Sequence, residues 1–341
     1  MKQKLHYLDV LRFAACVFVI YYHMLVEAIF KNILNLETTM KYYSNANIHI
    51  AMLAVSLFFM VSGSGLMLSS KENFCLKSYI KSRFLRILIP YYVVYGLSFF
   101  VKYFINGTPV FHEKIPAWRF LFTLLGMDEY LSMHGIATFS LSIGEWFLGC
   151  LMIIYVLFPF LRICMLRHKY VTILLSTILF FLFSNTEVFQ TDPHLNILFK
   201  LYEFLLGMFL VLVRKEIRYK CLCWTLPVIG LFLFCPFTLP LPEAIRITLL
   251  SVSIYLTIMQ AEPLLKKRTV LQRFLWHFNQ YSFEIYLIHH VIIFTLLDIF
   301  AKILTSALQL IPFYLITLVI ILAAAFIIKI ISEQIKTIFF K

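Results

Sequence analysis

Arg12 and His23 lie in an apolar segment, residues 8–30, that is long enough to cross a bilayer. They are eleven positions, about three helical turns, apart, so both side chains project from nearly the same face, roughly 16 Å apart along the axis. Histidine can accept and return a proton near neutral pH, and arginine can stabilise a developing negative charge. Because ionisable groups at membrane depth are costly and usually functional, this face predicts an acid–base site. The alternative is that neighbouring helices simply satisfy both groups.

Two arginines form a second candidate site. Arg83 and Arg86 are three residues apart near the start of a later apolar segment, so both face one way on a helix. The planar guanidinium group suits the oxygens of a phosphate. The pair therefore indicates a phosphate ligand, with ordinary positively charged flanking of a membrane span as the alternative.

Small, acidic and aromatic residues mark two further stretches. Ser62 begins a run of small residues, 62–65, which lets another helix backbone approach closely. Contact with a ligand is the alternative for this run. Glu145 and Trp146 fall at the outer end of another apolar segment. Trp146 is also interpretable as an aromatic anchor at the membrane interface, and Glu145 as a hydrated interfacial carboxylate.

A second intramembrane histidine lies near the C-terminal end of the chain. Segment 281–293 contains Tyr286 and His289 and enters the membrane from the predicted cytoplasmic side. At 1.5 Å per residue, His289 lies about 12 Å into the helix, a depth comparable to that of His23. We therefore expect the two histidines to share a polar cavity.

The remaining polar residues are assigned structural roles. Lys200 and Glu203 are three residues apart and are expected to pair with each other. Cys221 and Cys223 form a lone C-x-C without a second ligand pair nearby, so zinc is not expected, nor is any other metal. Packing or inert roles are expected for every cysteine: Cys16, Cys75, Cys150, Cys164, Cys221, Cys223 and Cys235.

Membrane-spanning helices must position these side chains. Apolar residues make up 62% of the 341 positions and charged residues 14%, a composition that no soluble domain tolerates. The formal net charge of +13 comes from Lys and Arg in short connections between apolar runs, as in membrane proteins generally. Membrane lipids and cytosolic phosphate ligands are therefore the expected partners, and nucleic acid is not.

The apolar runs predict an all-α polytopic membrane protein with about ten transmembrane helices. We expect a single membrane domain over residues 1–341 with no appended soluble domain. Lys and Arg concentrate in the segments that are cytoplasmic if the N-terminus is inside, which predicts an N-in, C-in topology. In the outer segment 106–142, residues 116–126 are expected to form a short interfacial helix. The predicted spans are residues 8–30, 48–69, 84–105, 143–164, 170–184, 195–213, 221–239, 243–260, 281–300 and 311–332.

Six stretches, in order, resemble motifs of the acyltransferase 3 family of integral membrane acyltransferases and together run through most of the chain. LDVLRFAACVFVIYYH is similar to the family's opening motif, in which an arginine is followed after ten residues by a histidine, here Arg12 and His23. FFMVSGSGLML is similar to a second-span motif, and SRFLRILIPYY to an arginine- and proline-containing segment. The other matches are WFLGCLMIIYVLFP, FLLGMFL and SFEIYLIHHVI, residues 146–159, 204–210 and 282–292.

The resemblance implies transfer of an acyl group, often acetyl from acetyl-CoA, to a carbohydrate hydroxyl. Typical family acceptors are cell-envelope glycans or lipid-linked glycan precursors, which implies the bacterial inner (cytoplasmic) membrane. His23 would be the essential histidine, as general base or as carrier of a covalent acyl group. Arg12 would be its companion, Arg83 and Arg86 would contact the CoA phosphates, and Trp146, Tyr286 and His289 would line the substrate cavity. We add Glu145 as a catalytic candidate and Ser62 as a cofactor contact.

The chain departs from the family pattern at a few positions. Leu151 and Met152 stand where one branch of the family has carboxylates, and His290 stands where a proline is common. Two other functions remain as alternatives: a transporter or flippase of glycan precursors or protons with a His23–His289 relay, and a non-catalytic partner in glycan assembly. The acceptor, the acyl chain and the oligomeric state stay open, with a homo-oligomer as one alternative.

Overall fold

Helices form the regular structure of the chain. The computed structural model describes residues 5–70, 72, 74–105, 115–141, 143–184, 196–217, 221–304 and 307–339. A π-helical turn, Val101–Ile105, and a 3-10 turn, Ala117–Arg119, adjoin α-helices. The α-helices are α1 His6–Phe30, α2 Leu36–Tyr43, α3 Ile50–Ser70, α4 Leu76–Phe100, α5 Phe120–Leu124, α6 Asp128–Met133, α7 Glu145–Ser184, α8 Ile197–Val213, α9 Leu222–Phe234, α10 Glu243–Gln260, α11 Glu262–Leu265, α12 Thr269–Asn279, α13 Ser282–Phe300 and α14 Ala307–Phe339.

Six helical segments of the described chain are long and apolar enough to cross a membrane. The protein is therefore a multi-pass integral membrane protein. These segments are His6–Phe30, Ile50–Ser70, Leu76–Phe104, Trp146–Ser184, Ser282–Phe300 and Gln309–Phe339.

The other predicted spans correspond to shorter or merged helices. The predicted spans 143–164 and 170–184 both fall on α7, which contains one residue with non-helical dihedral angles, His168 (φ −139°, ψ 50°). α8 has 17 residues and α9 has 13, fewer than the roughly 20 that usually cross a bilayer. The number of about ten spans and the N-in, C-in orientation therefore stay predictions.

The helices group into two compact units. The first comprises Met1–Tyr22, Leu36–Phe74 and Phe158–Gln280, and the second comprises His23–Asn35, Cys75–Leu157 and Tyr281–Lys341. Helix α1 contributes its first part to the first unit and its part from His23 onwards to the second. The single domain over residues 1–341 stays a prediction.

In the first unit, α3 and α8 pack with their backbones close together. A Cβ atom on Gly63 would lie 2.1 Å from the main-chain oxygen of Phe204, and one on Gly207 would lie 1.9 Å from that of Met60. The hydroxyl of Ser64 lies 2.8 Å from the main-chain oxygens of both Met60 and Gly207. These small residues therefore serve helix packing, as is typical of membrane helices.

A buried ion pair lies on α8 in the same unit. Nζ of Lys200 is 3.0 Å from Oε2 of Glu203, and the two side chains are 4% and 2% exposed. Thr248 on α10 donates its hydroxyl to Oε1 of Glu203 at 3.4 Å. The pairing expected from the sequence is confirmed, and it leaves neither charge buried alone.

In the second unit, α13 packs against both α4 and α14. Tyrosine hydroxyls on α4 hold the segment 115–141: Tyr92 donates to the main-chain oxygen of Leu124, and Tyr95 to that of Phe139 at 2.9 Å. The short helix expected within residues 116–126 forms as α5. Its location at the membrane interface stays a prediction.

Candidate active site

His23 contacts two histidines of α13 in the second unit. Its ring centroid lies 5.2 Å from that of His289, with the ring planes inclined at 60°. It also lies 5.2 Å from the ring centroid of His290, in an edge-to-face arrangement at 66°. His289 is only 1% exposed, and His23 is half-buried. The structure thus brings His23 and His289 together and adds His290, which the sequence analysis had not selected.

A carboxylate completes this group. Glu27 lies one helical turn after His23 on α1, and its Oε1 is 3.4 Å from Nε2 of His290. Glu27 is 5% exposed, and its Oε2 accepts no hydrogen bond from any described residue. We call His23, Glu27, His289 and His290 the histidine cluster.

The sequence held a signal for one of the two missed residues. Residues four apart share a helix face, so the spacing alone puts Glu27 on the same side of α1 as His23. His290 gave no comparable signal, because neighbouring residues on a helix are offset by about 100°. If His289 faces α1, His290 is expected to point elsewhere, yet both rings contact His23.

Main-chain and aromatic contacts orient His289. Its Nδ1 lies 2.6 Å from the main-chain oxygen of Tyr286. Because a carbonyl oxygen only accepts, Nδ1 donates, and the neutral ring presents Nε2 as its basic nitrogen. The ring of Tyr286 lies 6.0 Å from that of His289 and 5.0 Å from that of Phe147 on α7. Tyr286 therefore lies beside the histidine cluster, and its role in substrate binding stays a prediction.

The start of α7 holds two more of the predicted residues. Trp146 is 7% exposed, so protein covers it, which disfavours the alternative of an aromatic anchor at the membrane surface. Its contact with substrate stays a prediction. The side chain of Glu145 lies outside the part of the chain that the structure describes, and its catalytic role also stays a prediction.

Helix α4 carries the predicted phosphate ligands of the second unit. Arg83 is half-buried, and its Nε donates to no described residue. Arg86 is exposed and interacts electrostatically with Arg83. Two neighbouring guanidinium groups repel each other, and an anion bound by both would relieve that repulsion. The arrangement thus suits a phosphate ligand.

Arg12 and Ser62 belong to the first unit. Nη2 of Arg12 lies 4.0 Å from the position that a Cβ atom on Gly65 would take. The guanidinium group of Arg12 therefore lies beside α3 at Gly65. Ser62 is half-buried on the same helix. The predicted roles of Arg12 and Ser62 in catalysis and cofactor binding stay predictions.

An open groove of the second unit lies away from these residues. It has a volume of about 420 Å³ and lies between the start of α13 and the end of α14. None of the predicted site residues lines it. The lining residues are Tyr281, Phe326, Lys329, Ile330, Glu333, Gln334 and Thr337.

The histidine cluster is suited to acid–base chemistry. It places three imidazole rings and one carboxylate on two helices that pack within one unit. Imidazole can take up and release a proton near neutral pH, and a carboxylate can stabilise the resulting cation. Within the described residues, no three His, Cys, Asp or Glu side chains are placed to hold a metal ion.

Comparison with known proteins identifies one family. The sequence profile of a family described as an acyltransferase domain matches residues 5–330. The match includes both units, the histidine cluster and the two arginines of α4. No curated protein and no solved structure matches the chain.

Proposed function

The chain belongs to the acyltransferase 3 family, and we propose that this membrane acyltransferase moves an acyl group from cytosolic acyl-CoA to a hydroxyl of a cell-envelope carbohydrate or lipid-linked glycan. Acetyl-CoA is the proposed donor. The observation that carries the proposal is the contact of His23 with His289 and His290. It gives the chain a half-buried base with further proton-accepting groups beside it.

In this proposal His23 acts as the general base. Its imidazole takes the proton of the acceptor hydroxyl while the hydroxyl oxygen attacks the carbonyl carbon of the thioester. The ester C–O bond forms, the C–S bond breaks, and the leaving thiolate receives the proton from His23 to become free CoA thiol. General-base assistance typically contributes about 10²–10⁴-fold to the rate. A covalent acyl-histidine is the alternative route through the same residue.

Arg83 and Arg86 are proposed to hold the phosphates of CoA. They lie near the predicted cytoplasmic end of α4, and the donor is a cytosolic anion. Arg86 is exposed, so its guanidinium group can donate to such a ligand. Charge-assisted hydrogen bonds to phosphate would fix one end of the donor in this unit.

The other predicted residues take supporting roles. Trp146 and Tyr286 are proposed to contact the acceptor. Tyr286 lies beside the histidine cluster. Arg12 keeps the role of companion to His23, which rests on their spacing along α1. Glu145 is retained as a second catalytic candidate and Ser62 as a cofactor contact.

We place the protein in the bacterial inner membrane with both termini in the cytoplasm. The excess of Lys and Arg in the predicted cytoplasmic segments supports this orientation. Membrane lipids then surround the helices, and the carbohydrate acceptor approaches from within or beyond the bilayer. A homo-oligomer is compatible with this arrangement.

Transfer of label by the purified protein tests the function. The detergent-solubilised chain is incubated with labelled acetyl-CoA and a panel of envelope glycans and lipid-linked precursors. We expect labelled ester on at least one acceptor and loss of transfer by at least about 100-fold in His23→Ala. His277→Ala, which removes an exposed histidine of α12, is the matched control and is expected to retain activity.

Two results would contradict the proposal. Full transfer by His23→Ala would remove the general-base role. Transport of a glycan or of protons into proteoliposomes in the absence of acyl-CoA, without any acyl transfer, would instead favour a histidine relay.

A further inference from the structure

Glu27 has no part in the reaction described above, although its environment is costly for a carboxylate. Its side chain is 6% exposed, and its partner His290 is 17% exposed. Burial of a charged group without compensation costs several kcal/mol, so retained buried charges need a partner or a function. The 3.4 Å separation of Oε1 from Nε2 of His290 shows which partner Glu27 has.

Helix spacing and a chain of side-chain contacts relate Glu27 to His23. Along α1, the residues are four apart, so their side chains share one face of the helix. Across to α13, His290 lies near the carboxylate and packs edge to face on His23 with ring centroids 5.2 Å apart. Glu27 thus shares a helix face with His23 and is also connected to it through His290.

We propose that Glu27 is a positioning residue, which holds the ring of His290 against His23 and supplies the negative charge that balances the imidazolium formed at His23. The inference rests on the proposed function, in which His23 takes the proton of the acceptor. Glu27 and His290 touch no reacting atom, and their own covalent bonds do not change. The proton moves from the hydroxyl to His23 and then to the leaving thiolate.

The charge of Glu27 is effective because the carboxylate is sheltered from water. Electrostatic attraction is much stronger in the interior of a protein than in bulk solvent. The carboxylate stabilises the cationic state of His23, which exists only after the acceptor has lost its proton. It therefore lowers the barrier of the transfer step, while binding of either substrate does not depend on it.

A purely structural link between α1 and α13 already exists elsewhere. Lys31, near the end of α1, forms an ion pair with Asp298 of α13. Its Nζ also lies 5.3 Å from the ring centroid of Phe294. Asp298 is 56% exposed, so this pair joins the same two helices at the surface. It provides a matched control for the buried pair.

The test separates kcat from KM. Glu27→Gln removes the charge of the side chain and keeps its shape, so kcat is expected to fall about 10- to 100-fold. The KM values for acyl-CoA and for the acceptor are expected to stay within about twofold of those of the unmodified enzyme. Glu27→Asp restores the charge and is expected to recover part of kcat. Asp298→Asn is expected to leave kcat and both KM values unchanged.

A double-mutant cycle tests the pairing with His290. If Glu27 acts largely through His290, the variant with both Glu27→Gln and His290→Gln is no slower than the slower single variant. Multiplied losses would show that the two act independently and would overturn the pairing. Unchanged kcat in Glu27→Gln, or a loss confined to KM, would overturn the positioning role.

The outcome for Glu27 is separable from that of the proposed function. If His23→Ala is inactive while Glu27→Gln has the kcat of the unmodified enzyme, only the role of Glu27 fails. If His23→Ala is fully active, the proposed function fails first. Should Glu27→Gln not fold into a single species in detergent, His290→Gln carries the same kcat-against-KM test, and a normal kcat in that variant overturns the inference.

Discussion

The main-chain oxygen of Met60 on α3 lies 1.9 Å from the position that a Cβ atom on Gly207 of α8 would occupy. Adding that one carbon forces two helix backbones apart, because no flexible side chain is there to move. We expect Gly207→Ala to lower the free energy of unfolding by about 1–3 kcal/mol. The measurement is the apparent Tm of the detergent-solubilised protein.

The control for this variant is another helical glycine of the same unit. A Cβ atom on Gly230 of α9 would meet nothing within 4 Å. Gly230→Ala is expected to keep the apparent Tm or to raise it, since alanine stabilises helices by up to about 1 kcal/mol relative to glycine. Equal losses in Gly207→Ala and Gly230→Ala would show that close packing at Gly207 is not the cause.

The predicted spans and the structure agree where an apolar run is long and uninterrupted. The predicted spans 8–30 and 48–69 lie on α1 and α3 almost residue for residue. The break predicted between spans 143–164 and 170–184 corresponds to a single residue with non-helical dihedral angles, His168, within α7. Hydropathy reports where apolar residues lie along the chain, whereas the dihedral angles at a single position depend on packing that hydropathy does not contain.

Replacing one member of the buried pair on α8 is expected to cause a large loss of stability, because its partner is then left buried without a counter-charge. Lys200→Met leaves Glu203 charged and buried without its cation, which typically costs about 3–5 kcal/mol. Changing both residues, Lys200→Met with Glu203→Leu, removes the uncompensated charge and is expected to recover most of the loss. Apparent Tm values of the single and double variants provide the comparison.

An exposed pair with the same spacing provides the control for Lys200. Glu333 and Lys336 on α14 are also three residues apart, with Nζ 2.8 Å from Oε1, but Glu333 is 57% exposed. Lys336→Met is expected to change stability by less than about 1 kcal/mol. A loss as large as that of Lys200→Met would mean that burial does not decide the cost.

The candidate site was predictable in part from helix geometry. Depth along two helices, at 1.5 Å per residue, predicted that His23 and His289 come together, and their rings do lie side by side. The same geometry could not predict that His290 also contacts His23, because that depends on how α13 is rotated and tilted against α1. Glu27 carried a periodicity signal, but only its distance from His290 shows which partner that carboxylate has.

Asp128, at the start of α6 outside the membrane spans, predicts a pH-dependent stability. Burial raises the pKa of Asp128 from 3.8 to about 6, although a hydrogen bond from Thr123 opposes the shift. Between about pH 4 and pH 6 the folded protein therefore retains a proton that the unfolded chain has released. Stability is expected to fall as the pH rises through this window, and above it the loss caused by Asp128 is complete and no longer changes with pH.

Replacement of Asp128 tests the sign of this effect. The side chain in Asp128→Asn cannot ionise. In a plot of apparent Tm against pH, the fall that Asp128 causes between pH 4 and pH 6 is therefore expected to be absent. Glu37→Gln, which removes an exposed carboxylate of α2, is expected to keep the slope of the unmodified protein. An Asp128→Asn protein with that same unmodified slope would contradict a buried, proton-retaining carboxyl group.

The arginines of α4 predict a defect in donor binding rather than in chemistry. In the double variant Arg83→Ala with Arg86→Ala, the phosphates of CoA lose charge-assisted hydrogen bonds. The KM for acyl-CoA is therefore expected to rise about 10- to 100-fold, while kcat stays nearly unchanged. The matched control replaces two exposed cations of the same helix, Lys77→Ala with Lys81→Ala. Those lysines contribute only to the general positive field, so a small rise in KM that vanishes at high salt is expected. An unchanged KM in the double arginine variant, or an equal rise in the double lysine variant, would remove Arg83 and Arg86 from the donor site.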